Sequence, residues 1–420
     1  MRYMNIKRYS RWIWGALLVG AVACSPYERL SKTDLSYRYG AETPLQVDSK
    51  VLDEGGQMRV FLDIKASKLG DDATLATLNE RYGFSYRITP SYRSKETIVS
   101  VPSLEFSGFH GRNSDGTFHV SFPLAKIGTP SALMVLTATE KASGKAVMFD
   151  IPISFADEDL KTKYALFPIR HNYPAGPYVT TRDTVVIRSL RNDAQPLMVR
   201  YFSDAFRPAL PPMAITNSIK NRPEETQTYQ LRPGEVMKFV ADGLYFAQED
   251  TNSREGFSFV VNPNRFPRVT RATELIEPLI YITTRKEREK LLSSENPKLA
   301  LDAFWLKLSN NNREYARRMI REYYTRVQEA NALFTTFKQG WMTDQGMTYI
   351  IFGPPQKMLR YNDREEWYYE KSASMPEVYF TFLKRPTIFT DENYELVRYN
   401  EFDRVWYASV EQWRKGIVRR

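Results

Sequence analysis

One cysteine and three histidines in 420 residues leave little material for metal or thiol chemistry. A disulfide framework needs cysteines in pairs, a zinc site of the Cys-x-x-Cys kind needs several, and a Cys–His dyad needs a third group to orient it. None of these can be assembled, so no metal and no cofactor is expected. Long apolar runs are missing as well. The stretch Trp12–Ala23 has 12 residues, whereas a helix needs ~20 to cross a bilayer. A mean hydropathy of -0.47 excludes a polytopic membrane protein. What the chain does have is the composition of a folded protein: 42% hydrophobic residues, 24 Phe, 26 Tyr and 7 Trp. Disordered chains are poor in such side chains, and the length exceeds what one hydrophobic core serves, so two to three domains are expected.

The first residues bear on the compartment. Arg2, Lys7, Arg8 and Arg11 precede the short apolar run without an intervening acid, the proportions of a secretory signal peptide over residues 1–23. Ala21 and Ala23 stand just before Cys24, the chain's one thiol, and resemble a bacterial lipobox. Lipidation at Cys24 is therefore expected, with residues 24–44 as a polar tether. Loss of the leader lowers the formal charge from +10 to +6. That modest excess, not gathered in one stripe, gives no reason to expect nucleic acid as a partner.

From Leu45 the apolar residues alternate. Met58, Val60, Leu62 and Ile64 do so, as do Phe84, Tyr86 and Ile88, and Val147 through Phe155 continue without a break. Period two marks strands with one buried face. Asn113–Gly116 and Ala142–Lys145 supply turn chemistry between such runs. These features predict an antiparallel β-sandwich of immunoglobulin-like type over 45–158. His110 and His119 flank a hairpin tip with no third or fourth ligand in view, so a metal site is not expected there. His171–Pro177 has linker composition. A second sandwich is predicted over 178–270, interrupted by a loop carrying Pro208, Pro211, Pro212 and Pro223, which a sheet ladder does not accommodate.

After Arg271 the period lengthens. Asn296-Pro297 predicts a capped helix start, and Asn311 with Glu314 predicts a second. The latter helix carries Ala316, Ile320, Tyr323, Val327, Ala330 and Phe334 as one stripe. A helical segment is thus expected over 271–339, followed by a small α/β domain over 340–420. Gly340 is expected to end the helix in a left-handed conformation, and Trp341 to fold back as an apolar plug. Thr343 and Asp344 would bond backbone N–H groups in a tight turn made permissive by Gly346. Met347–Phe352, apolar on both faces, predicts a central strand stopped by Gly353, Pro354 and Pro355.

Gly340-Trp341-Met342-Thr343-Asp344, with Leu301–Trp305, Tyr349–Pro355, Glu366–Tyr368 and Trp406–Arg414 around it, resembles the GWxTD domain family of Bacteroidota over about residues 273–420. The resemblance implies a lipoprotein and brings no catalytic residues to carry over. Surface-exported lipoproteins of that group tend to have acidic residues after the acylated cysteine. Ser25-Pro26-Tyr27-Glu28 departs from that pattern, so the periplasmic face of the outer membrane is expected.

Function is weighed on the same residues. The expectation is a non-enzymatic accessory or scaffold subunit of an envelope assembly, engaged in secretion or outer-membrane protein biogenesis. It would bind envelope proteins through shape and through Tyr, Trp and Arg, the residues enriched at interface hot spots. A second reading makes Trp367, Tyr368 and Tyr369 stacking platforms for a glycan or peptide, and fails if they are buried. A third makes Asp344 a catalytic carboxylate with Glu366, or with Asp363 or Glu365, and requires the pair to meet in an open cleft within about 5–10 Å.

Overall fold

The computed structural model describes residues 29–40, 43–70, 72–203, 206–214, 224–371 and 376–417. Most of the N-terminal half follows from period two. β1 (Leu45–Asp53), β2 (Gln57–Ala66), a short α1 (Leu75–Arg81), β3 (Tyr82–Thr89), β4 (Val99–Val101), β5 (Gly108–Arg112), β6 (Thr117–Ala125), β7 (Ser131–Glu140) and β8 (Ala146–Ser154) form a first module. Its two antiparallel sheets run β1-β2-β6-β5 and β4-β3-β7-β8. Val60, Leu62 and Phe122 from one meet Phe84, Leu136 and Ile151 from the other in a common core. The turn before β6 closes where expected: Asn113 N–H donates to Thr117 O at 2.9 Å, and Gly116 takes a φ of 87°.

The second module comprises α2 (Leu160–Lys163), β9 (Tyr164–Pro168), β10 (Tyr178–Thr180), β11 (Thr184–Ser189), β12 (Leu197–Phe202), β13 (Gln227–Leu231), β14 (Val236–Lys238), β15 (Gly243–Gln248) and β16 (Phe257–Asn262). Its sheets run β10-β16-β15-β12-β13 and β14-β11-β9. Every described strand pairing is antiparallel except β10 with β16. The module starts earlier than residue 178. Tyr164 and Leu166 enter its core, while the alternate residues Ala165 and Phe167 pack with Leu52, Phe61 and Tyr173 at the boundary with the first module. A strand buried on both faces shows a continuous apolar run rather than an alternation. His171–Pro177 is accordingly a loop within the module, held by Ala175 N–H on Leu166 O at 2.7 Å.

The C-terminal part begins with α3 (Ala272–Ile276), α4 (Arg285–Leu292), α5 (Pro297–Leu308) and α6 (Arg313–Phe334). Asn296 caps α5 through Leu299 N–H at 3.1 Å. α6 is capped by Asn312 rather than Asn311, because Asn310 and Asn311 turn the chain first at φ 52° and 62°. Its stripe is buried at Ala316, Tyr323, Val327, Ala330 and Phe334. Then follow α7 (Asp344–Phe352), the sheet β17 (Lys357–Arg360), β18 (Arg364–Tyr369), β19 (Val378–Lys384) and β20 (Tyr394–Leu396) in that order, and α8 (Phe402–Arg414). No described helix is long and apolar enough to cross a membrane.

Three expectations change. Met347–Phe352 is helix, not a central strand: Thr343 caps it, and all of its residues are buried. A six-residue apolar run does not distinguish a buried strand from a buried helix. The segments 271–339 and 340–420 are not separate units, since α5, α6, α7 and the β17–β20 sheet share one core. The tether is also not free over its described part. Leu30, Leu35 and Tyr39 are buried in that same core, so residues 30–39 form a strap. Leu35 N–H donates to Met358 O at 2.8 Å, and Asp34 Oδ1 accepts from Met358 N–H at 2.9 Å. The Tyr37 hydroxyl accepts from Met148 N–H at 3.0 Å and donates to the Met148 carbonyl. The strap therefore covers the open edges of β17 and β8, which would otherwise expose unpaired backbone groups. The expected signal peptide, with Cys24, lies outside the described residues.

Candidate functional site

The Gly-Trp-Met-Thr-Asp segment follows α6 through a short connection and is stitched back onto that helix. Asn331 Oδ1 accepts from Trp341 N–H at 3.1 Å, and Thr335 Oγ1 accepts from Gly340 N–H at 2.9 Å. Gly340 is needed for space rather than for a left-handed conformation. A Cβ there would lie 1.9 Å from Ala330 O, and one on Gly346 would lie 1.9 Å from Gly340 O. Helix α6, the turn at Gly340–Met342 and the first turn of α7 are thus stacked backbone against backbone. Of Gly340, Gly346 and Gly353, it is Gly353 that has positive φ, 86°. It ends α7, followed by half-buried Pro354 and buried Pro355.

The other motif side chains are all engaged. Trp341 is buried, donates from Nε1 to Gln339 Oε1 at 2.7 Å, and accepts at its carbonyl from the Tyr281 hydroxyl at 2.8 Å. Thr343 Oγ1 accepts from Gly346 N–H at 2.9 Å and donates to Gly340 O at 2.8 Å. Asp344 opens α7, where a carboxylate complements the helix dipole. Its Oδ2 accepts from Leu396 N–H at 2.8 Å, and the carboxylate pairs with Arg398. The Pro208–Pro212 loop closes over this joint through Ala209 N–H on Met342 O at 2.9 Å and Arg398 on Leu210 O at 3.1 Å.

A charge cluster absent from the sequence expectations adjoins the joint. Arg360 of β17 pairs with Glu365 of β18 and, at 2.8 Å, with Asp150 of β8. Arg38 of the strap takes the other Asp150 oxygen at 2.6 Å, and the Tyr92 hydroxyl also donates to Asp150. Glu365 accepts from the Tyr39 hydroxyl at 3.0 Å, from Gln345 Nε2 at 2.9 Å and from Trp367 Nε1 at 2.9 Å. The side chains of Asp150 and Glu365 are sealed from water at 0% exposure. Burial pushes the Asp150 carboxyl up, but Arg360, Arg38 and Tyr92 outweigh it and hold the group well below the usual carboxylate range. Burial and the neighbouring Glu365 carboxylate push the Tyr39 hydroxyl far above its ordinary value. The result is a set of fixed charges joining the strap, the first module and the C-terminal sheet.

Two readings lose their residues. Trp367 and Tyr369 are core side chains at 0% exposure, so they are not stacking platforms; only Tyr368, beside Tyr379 at 5.9 Å, lies on the outer face of the sheet. Asp344 is tied to Leu396 of β20, whereas Glu366 accepts from Arg364 at 2.8 Å and from Tyr368 at 2.9 Å on β18. Glu366 shares the outward face of β18 with Arg364 and Tyr368, whereas α7, which Asp344 opens, packs on the inward face through Gln345 and Glu365, so the sheet lies between the two carboxylates. Asp363 pairs with Arg364 at 3.2 Å, and Glu365 is enclosed in the cluster. His110 binds Ser121 Oγ at 2.9 Å and His119 binds Asp63 Oδ1 at 2.6 Å. Both rings, with that of His171, lie around Tyr173. Among the described residues no three His, Cys, Asp or Glu side chains are grouped as metal ligands.

One signal of the cluster was present in the chain. Leu133 to Leu136 is apolar without alternation. Met134 and Leu136 enter the first module's core, and Leu133 and Val135 enter the C-terminal one. Asp150, opposite Val135 in the register, shares that second buried face. Comparison with known proteins adds the family. No curated protein matches the chain. The family model described as the GWxTD domain matches residues 243–415, beginning in β15 and ending one residue beyond α8. The joint at Gly340–Asp344 is the signature of that domain, and the chain is a GWxTD domain-containing protein.

Proposed function

We propose that this protein is a non-catalytic outer-membrane lipoprotein, moored through Cys24 on the periplasmic side, which serves as a scaffold or accessory subunit of a secretion or outer-membrane biogenesis assembly. Its two β-modules act as immunoglobulin-like sandwiches that present binding surfaces. The observation that carries the reading is the engagement of the motif's polar groups: Thr343, Asp344, Asn331 and Gln339 bond within the fold, and the nearest buried carboxylates are neutralised by arginines. Apolar contacts weld the parts to one another, with Phe202, Phe246 and Val260 of the second module against Phe337 and Phe389 beyond it. A body joined in this way offers surfaces at fixed relative positions, which is what a scaffold requires.

Cross-linking of the full chain in native membranes, mild detergent extraction and mass spectrometry of what co-purifies test this. The expected result is an acylated Cys24 and a reproducible set of envelope proteins. An unmodified Cys24, or a strictly monomeric species after mild extraction, overturns it.

A further inference from the structure

A β-sheet ends in a row of unpaired N–H and C=O groups, and this chain disposes of most such rows. The strap bonds to the edges of β17 and β8, Ala175 N–H donates to Leu166 O on β9, and Asp344 accepts from Leu396 N–H on β20. β5 breaks register between Phe109 and Gly111, a bulge of the kind that turns an edge away from partners. β4, β10 and β14 have three residues each, and α2 packs against β1. β13 is the exception. It closes the five-stranded sheet of the second module, pairs with β12 in unbroken register, and contains no proline or lysine. Among the described residues, no hydrogen bond reaches the backbone of Gln227–Leu231 from any element but β12.

The charges around this edge suit a second copy of the same strand. β13 itself is uncharged; Glu224 and Glu225 precede it, Arg232 follows it, and all three are exposed. Glu225 has only Arg200 at 3.9 Å, and Arg232 has no carboxylate among the described ion pairs. A second copy laid antiparallel about Tyr229 sets Gln227 against Leu231, Thr228 against Gln230 and Thr226 against Arg232. Each Arg232 then lies beside Glu225 of the other copy, so opposite charges are cross-strand neighbours at both ends. With Arg200 behind, two cations meet Glu224 and Glu225 at each end. Glu235, beyond the turn, already accepts from Arg232 N–H at 3.0 Å. A parallel pairing would instead set Glu225 by Glu225 and Arg232 by Arg232. Antiparallel pairing is also the one a two-fold axis generates, and such an interface closes after two copies. Tyr229, half-buried against the module's core, would meet its own image across the axis, an aromatic cross-strand pair.

We propose that the unpaired edge of β13 is a homodimer interface. A second copy of this chain adds its own β13 antiparallel, centred on Tyr229, and the two five-stranded sheets run into one across the axis. The proposal goes beyond the scaffold reading and does not depend on the lipid anchor. A scaffold paired in this way presents each of its surfaces twice.

Sedimentation velocity of the full chain in mild detergent is expected to show a dimer that dissociates on dilution, with amide exchange at Gln227–Leu231 accelerating several-fold as it does. Thr228 and Gln230 are exposed, and the pairing sets them opposite each other. T228K/Q230K and T228E/Q230E therefore place like charges face to face, and each alone should be monomeric. Their folding is checked by an unchanged exchange rate in β2 and β16. Mixed in equal amounts the two should dimerise again, because every lysine then faces a glutamate. A parent chain that stays monomeric at every concentration overturns the proposal, as does a dimer that either variant leaves intact or a mixture that remains monomeric. Should the variants unfold, the parent decides: exchange at Gln227–Leu231 that ignores dilution overturns the proposal. So does protection of β13 that appears only when an envelope protein extract is added to a monomeric chain, which would assign the edge to another protein.

Discussion

The Gly340–Gly346 joint holds three backbone segments at contact distance through two glycines, with a single ion pair, Asp344–Arg398, at its edge. The Arg360 cluster holds the strap, the first module and the C-terminal sheet together with two cations and two carboxylates. One region depends on the absence of side chains, the other on side chains whose charges must balance. The joint secures the domain to itself, and the cluster secures the domain to the rest of the chain. Changes in the first should therefore ignore pH, and changes in the second should follow it.

Arg360→Met is the strongest test. It leaves Glu365 buried with no cation and Asp150 with Arg38 alone, a loss of about 3–5 kcal/mol on the scale of broken buried ion pairs. In the parent protein the Asp150 carboxyl is depressed in the folded state. Its stabilisation is complete above the unfolded value of about 3.9 and disappears as pH falls through the lower folded value. Without Arg360, burial of Asp150 is opposed by Arg38 and Tyr92 alone, so its carboxyl is protonated more readily and the deficit should shrink as pH is lowered. Urea unfolding across pH checks this, and a deficit independent of pH would break the contrast between the two regions.

Gly340→Ala comes next, at about 3 kcal/mol, the upper end of the range for overpacking. The obstructing atom belongs to the main chain of α6 and cannot rotate away. Gly346→Ala should behave alike, both with the same loss at mildly acidic and neutral pH. Thr343→Ala removes the cap of α7 and should cost about 1–2 kcal/mol, most of it restored by Thr343→Ser. Thermal unfolding of the three single variants ranks them.

The unequal legibility of the two regions in the sequence has a physical origin. Strands with one wet face announce themselves by alternation, and α6 by its stripe, so β2, β3, β8 and α6 are readable from residue types alone. The motif's contacts within one short segment, such as Thr343 on Gly346, were also readable as turn chemistry. Met347–Phe352 was not, because a segment buried all round has no period to display. Apart from the apolar run Leu133–Leu136, nothing in the sequence marks Asp150, Arg360, Arg38 and Tyr39, and for another reason. Each looks like a solvated residue in its own element, and only the docking of parts more than 200 residues apart, Asp150 against Arg360, removes the water. Gly340 was recognised as necessary but for the wrong cause, since the sequence does not record that α6 passes within contact of it.

The smallest expected effect concerns the strap and separates its two roles. Tyr37 covers the edge of β8 by bonding both backbone groups of Met148, and burial, only partly offset by the Met148 bond, pushes its hydroxyl up to about 12. Arg38 and Tyr39, the next two residues, belong to the charge cluster. Tyr37→Phe keeps the ring against Phe149 and removes only the hydroxyl, so about 0.5–1.5 kcal/mol should be lost. Exchange of the Met148 amide should accelerate, because its acceptor is gone while β7 still pairs the other edge. If edge cover and charge cluster are independent, Tyr37→Phe and Arg360→Met should add, with the pH profile of the double variant matching that of Arg360→Met. A loss clearly smaller than the sum would mean that the strap detaches as one unit once Arg360 is gone. The cluster would then be what holds the strap on the edge of β8, and the comparison would narrow to a single lock at Arg360.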